Sequence, residues 1–121
     1  MKRERNVIVE KSEIFADRII KMCKYVSKKK TGDNDLLRQV YRSGTSIGAN
    51  TAESQYAQSR ADFLTKLTIA LKEANETKYW LRRMFAGNLL SEKEYSSIVS
   101  DNEEIIKLLT SITGTVKRGE Q

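Results

Sequence analysis

With 121 residues, 39% of them hydrophobic and 31% charged, the chain has the length of one domain, too many apolar groups for a disordered tail and too many charges for a membrane bundle. It has a net charge of +6, no histidine and a single cysteine, Cys23, which rules out an internal disulfide and removes the commonest zinc ligands and the commonest general base. The absence of proline and of any apolar run near the ~20 residues of a membrane span favours long helices in the cytoplasm over strands, a bilayer segment or a secretory signal.

The first helix is predicted over residues 10–30. Phe15, Ile19, Met22 and Val26 follow one another at steps of four, three and four and so share a face. Lys28, Lys29 and Lys30 suit the negative C-terminal end. Thr31-Gly32 is expected to close this helix, with Asp33 or Asn34 capping the next.

The second helix is predicted over residues 35–56, with Leu36, Leu37, Val40, Ile47 and Thr51 inward. Gly44 and Gly48 each cost roughly 1 kcal/mol relative to alanine in a helix interior. With Ala52 they recur every fourth residue, so they form a groove into which another helix can sink, and close packing is expected to compensate.

Ser59 reads as the N-cap of a third helix over residues 59–88. Its core stripe is predicted as Phe63, Leu67, Ala70, Leu71, Ala74, Leu81 and Phe85. Ile69 and Trp80 lie eleven residues apart, about three turns, on a face turned away from that stripe. With Tyr79 and Met84 they form the candidate oligomer contact, since tryptophan and tyrosine are enriched at interfaces; packing under a loop is the alternative.

A fourth helix is predicted over residues 91–118. Ser91 and Glu94 have capping-box spacing, and Tyr95, Ile98, Asn102, Ile105, Leu109, Ile112 and Val116 form a heptad seam. Asn102 interrupts that seam and is expected to bond a neighbouring helix or to reach solvent at the rim. Four helices with short connections predict an all-α, antiparallel up-down-up-down four-helix bundle spanning residues 1–121 as one domain.

Candidate chemistry is sparse. Glu73 and Glu76, three residues apart, invite comparison with di-iron bundle sites, but those add histidines the chain lacks; pairing with Lys72, Arg83 or a neighbouring subunit is the favoured reading. Asp33, Asp35, Ser43, Ser46 and Cys23 read as caps, packing residues or a buried thiol. A carboxylate hydrolase built on Glu53, Glu73 and Glu76 is the least favoured reading. No glycine-rich phosphate loop is present, and no catalytic residue, metal or cofactor is expected.

Charge says more. Residues 1–30 carry ten Lys/Arg against four Asp/Glu, and residues 59–90 six against three. Lys21, Lys24 and Lys28 share one face of the first helix, while Lys78, Arg82 and Arg83 cluster on the third. These six are the candidate nucleic-acid-binding residues, because clustered cations gain free energy by releasing counterions from phosphates. The alternative is an ordinary lysine-rich surface that keeps a small protein in solution.

The stretches RSGTSIGANTAE (Arg42 to Glu53), SRADF (Ser59 to Phe63) and IALKEANETKYWL (Ile69 to Leu81) resemble the bacterial four-helix bundle family that includes the ribosomal RNA intervening-sequence proteins. The resemblance covers roughly residues 35–109, and its most specific element is Ser46 to Asn50; Thr51 and Ser54 depart from the family pattern. It implies an antiparallel bundle assembling as a homopentameric ring whose basic surface meets RNA or DNA. A related branch, the accessory proteins of diversity-generating retroelements, implies a reverse transcriptase as a further partner. Arg42, Glu53, Asp62, Glu73, Glu76 and Trp80 match motif positions, and the pattern supplies no agreed catalytic set. The leading reading is therefore a non-enzymatic, oligomeric bundle that binds nucleic acid or a nucleoprotein. A protein-interaction adaptor docking a partner enzyme is the competing one.

Overall fold

A computed structural model describes residues 2–29 and 34–119. Its elements are α1 (Lys2–Ser27), α2 (Asn34–Ser54), α3 (Arg60–Ala86) and α4 (Glu92–Lys117). Each helix packs on its chain neighbours and α4 closes back on α1, and across the α1–α3 diagonal the Arg5 guanidinium lies over the Phe63 ring at 4.3 Å. Contacts run in opposite directions along neighbouring pairs: Cys23 meets Leu37 where Ser12 meets Thr51, and Arg42 meets Glu73 where Glu53 meets Lys66. This is the antiparallel up-down-up-down bundle.

The principal departure from the sequence reading is at the start, because α1 begins at Lys2 rather than Glu10. Ile8 and Ser12 continue the buried stripe of Phe15 and Ile19 backwards at helical spacing, and both are fully buried. Cys23 joins that core, while Met22 is only half-buried at its edge. The expected turn at Thr31, Gly32 and Asp33 lies outside the described residues.

Ser59 caps α3 by accepting the Asp62 amide at 3.0 Å. Both halves of the predicted box at Ser91 and Glu94 are formed. At the end of α3, the core place expected for Phe85 is taken by Met84, which is fully buried, and Phe85 instead stacks on Tyr95 with ring centroids 4.6 Å apart. The helix closes with the Leu89 amide donating to the Met84 carbonyl and the Asn88 amide to that of Phe85. Asn88 rather than Gly87 takes the left-handed conformation, with φ 63°. That closure folds Leu89 and Leu90 under the end of the bundle, where both are buried.

Buried polar contacts tie each chain-adjacent pair of helices. Ser12 and Thr51 hydroxyls lie 2.6 Å apart between α1 and α2, Thr77 donates to Ser43 at 2.9 Å between α3 and α2, and Asn102 Nδ2 donates to the Ala74 carbonyl at 3.2 Å between α4 and α3. A slipped register would break all three interhelical bonds, although the hydroxyls would keep bonds to carbonyls of their own helices, so these contacts favour one alignment. Asn102 thus bonds a neighbouring helix instead of reaching solvent. The remaining seam, between α1 and α4, is bridged by Lys11–Glu104 and Arg18–Asp101 ion pairs nearer the surface.

The glycine groove is occupied by α1. An added Cβ at Gly44 would sit 2.8 Å from Ile19 Cγ1, and one at Gly48 would sit 3.2 Å from the Ser12 carbonyl oxygen. Ala52, third in the series, remains exposed at the rim.

Candidate nucleic-acid interface

Because α1 and α3 run in the same direction, the C-terminal halves that carry the candidate cations lie toward one end of the bundle. Lys21, Lys24, Lys28, Arg82 and Arg83 are exposed, and Lys78 is half-buried. The two clusters are not contiguous, since α1 and α3 are diagonal partners. The α3 cluster itself divides. Arg82 and Arg83 project about 100° apart, and Arg83 lies over the Tyr79 ring at 5.4 Å. Lys21 and Lys24 thus lie on the outer face of α1 with Lys28 in the turn just beyond its end, and the α3 cations form separate flanks.

The distribution of ion pairs sharpens that picture. Lys11, Arg18, Arg38, Arg42 and Lys66 each lie against a carboxylate. None of the six candidate residues has a carboxylate partner among the described residues.

The motif residues of α2 and α3 form a separate network. Arg42 reaches both Glu73 oxygens at 3.3 Å and also pairs with Glu76. Trp80 Nε1 donates to Glu76 at 3.0 Å, and Tyr79 packs edge-on against Trp80 at 5.0 Å. Arg42 takes the place expected for Arg83, while Lys72 adds only a longer-range attraction to Glu76. Glu53 is engaged elsewhere, by Lys66 at 3.0 Å, so the three glutamates do not converge. Among the described residues no group of three or more His, Cys, Asp or Glu side chains could hold a metal.

This network sets an acid limit on stability. The Trp80 N–H, and after it Arg42, hold the Glu76 carboxyl below its ordinary value of 4.5, against some desolvation. A lowered folded value means the stabilisation is complete above the ordinary value and is lost as pH falls through the folded one. The difference in melting temperature between wild type and Glu76→Gln, open at pH 7, is expected to narrow only as pH falls below the ordinary value of 4.5 and to close once it passes the lowered folded one. A constant difference from pH 7 to pH 3 would show that the carboxylate charge contributes nothing.

The remaining candidates separate by burial. Ile69 and Tyr79 are exposed at 38% and 46%, two apolar side chains of α3 that project about 80° and ~15 Å apart. Trp80 is half-buried against the core with its N–H satisfied inside the chain, and Met84 lies in the core with no surface to offer. Met84 is thereby removed from the interface expected for it: it points inward where Phe85 was expected to. Burial pushes the Cys23 thiol up to about 11, consistent with a packing role. No helix among the described residues is long and apolar enough to cross a membrane.

One surface escaped the sequence reading. Met22 and Tyr25 on α1 and Leu90 and Ile98 on the other side line a cleft of about 360 Å³ in the seam between α1 and α4. Arg18, Lys93, Glu94 and Ser97 complete its walls.

Residues 4–111 match the family described as 23S rRNA-intervening sequence protein. The chain is also similar to a crystal structure of a protein of unknown function from the S23 ribosomal protein family of Bacteroides thetaiotaomicron. The two share 47% identity over 93% of this chain and 99% of that one, with a TM-score of 0.89. No curated protein matches the chain.

Proposed function

The chain belongs to the 23S rRNA-intervening sequence protein family, and from that premise we propose that it is a non-enzymatic, self-associating bundle that binds nucleic acid through the lysine face of α1. The observation that carries this is the set of cations Lys21, Lys24 and Lys28, exposed on α1 and the turn just beyond it and unmatched by carboxylates among the described residues. Unmatched lysines at helical spacing meet a phosphate backbone without first breaking an internal ion pair. The family description names an intervening sequence of 23S rRNA, which makes RNA the first ligand to test.

Self-association would use the exposed Ile69 and Tyr79 side chains. Symmetric copies would repeat the lysine face, so that individually weak phosphate contacts add. The homopentamer implied by the family resemblance is one such assembly. The same exposed side chains also favour the second reading, an adaptor that docks a partner enzyme such as a reverse transcriptase-like protein; there the lysines would complement an acidic partner.

The two readings separate in filter binding of RNA and DNA across a salt series. Nucleic-acid binding is expected to be detectable at low salt and to weaken steeply as salt rises, with a log–log slope proportional to the phosphates neutralised. Absence of binding at low salt, or binding indifferent to salt, would discard the leading reading. Retention of a protein partner from nuclease-treated extract would then support the adaptor.

A further inference from the structure

The cleft between α1 and α4 shares its mouth with the lysine face. Tyr25 stands at that mouth, 50% exposed, with Lys29 Nζ 4.3 Å from its ring centroid. On a helix surface the neighbours of residue 25 are those three and four positions away. Those are Lys21, Met22, Lys28 and Lys29, so the ring stands between apolar surface and cations. Across the cleft stands the Glu94 carboxylate, which is fixed by the Ser91 amide at 2.8 Å. Beneath the ring, Leu90 and Ile98 are 5% and 3% exposed and form an apolar floor. Lys93 lines the opposite wall.

Two chemistries therefore meet in one place: a flat apolar platform with a recess behind it, and cations on both rims. A duplex would offer this corner phosphates but no base face, leaving the platform uncovered. An unpaired nucleotide offers both a planar apolar group and a phosphate one bond system away. Resting on the nucleic-acid reading above, we infer that this corner binds single-stranded nucleic acid in preference to duplex. An unstacked base lies on Tyr25 over the cleft, while adjacent phosphates meet Lys21, Lys28 and Lys93. Stacking on an aromatic ring is tolerant of base identity, so little sequence preference is expected.

The test compares a short unstructured RNA carrying 2-aminopurine with its perfect duplex, by anisotropy and emission at fixed salt, for wild type, Tyr25→Ala and Tyr25→Phe. Circular dichroism confirms that each variant is folded. Single-strand preference, quenched 2-aminopurine emission and a roughly tenfold loss in Tyr25→Ala are expected, the size of one lost stacked base. Tyr25→Phe is expected to restore binding, because it keeps the ring. Equal affinity for single strand and duplex, with Tyr25→Ala unchanged, would overturn the inference while leaving the nucleic-acid reading standing. Absence of binding to either RNA form would remove both. Tyr25-dependent binding of a glutamate- and leucine-rich peptide, with no RNA binding, would assign the cleft to an acidic protein partner instead.

Discussion

Gly44→Val is expected to destabilise the bundle by about 3 kcal/mol, lowering its melting temperature by roughly 10 °C. The cause is the approach of α1 and α2 at this position. An added Cβ would lie 2.8 Å from Ile19 Cγ1, 2.9 Å from Cγ2 and 3.3 Å from Cβ. Ile19 cannot yield, because it is fully buried and β-branched side chains in helices are confined to essentially one rotamer. The α1 backbone must therefore move away, opening gaps around Phe15 and Ile47. Replacing glycine with a residue of higher helix propensity recovers at most about 1 kcal/mol, less than the ~1–3 kcal/mol typical of overpacking before valine's two further methyl groups are counted.

The double variant Gly44→Val with Ile19→Ala checks the mechanism. If the clash is the cause, the two changes will cost less together than the sum of their separate effects. Urea denaturation at one fixed protein concentration measures all four members of the cycle, so that any change in assembly is held constant. Gly44→Val melting with wild type, or strict additivity, would mean that the groove is not tightly filled.

That groove also shows how far local pattern carries. The spacing of Gly44 and Gly48 predicted that another helix would sink against α2, and α1 does so. The heptad seam of α4 and the caps at Ser59 and Ser91 were likewise visible, because each depends on residues three or four apart. The error at the end of α3 has a physical source too. Met84 and Phe85 are adjacent, both are apolar, and their directions differ by about 100°, so only the tertiary partner decides which is inward. Tyr95 on α4 draws Phe85 outward into a stack, and Leu89 folds back over Met84.

The candidate site was half legible for a related reason. Lysines that share a face can be counted from one helix alone, so the Lys21, Lys24 and Lys28 set emerged directly. The Arg42 bridge to Glu73 and Glu76 spans thirty-one and thirty-four positions and depends on which helices are neighbours. The cleft is further from reach, since Tyr25 and Leu90 meet only because the last helix closes on the first. The early start of α1 was hidden because Val7, Ile8 and Val9 form one short continuous apolar run, which carries no helical period of its own.

Reversing the charge of Lys21, Lys24 and Lys28 together, each to glutamate, is expected to lower affinity for single-stranded RNA on the order of a hundredfold at moderate salt. It should also make the salt dependence shallower, by about 2 in log–log slope, since each lost phosphate contact removes roughly 0.7 for a single strand. The bundle should tolerate the change, because all three side chains are exposed and make no ion pair among the described residues. The main structural penalty falls at Lys28, where a negative charge beyond the C-terminal end of α1 opposes the helix dipole by about 0.3–1 kcal/mol. A control of equal net charge, with Lys66, Lys107 and Lys117 reversed toward the other end, separates local contact from bulk attraction. A local site predicts a small loss in the control and a large one at α1. Equal losses would reduce the binding to overall charge, and an unchanged slope in the α1 variant would place the phosphates on another surface, with the Arg82 and Arg83 flanks next in line.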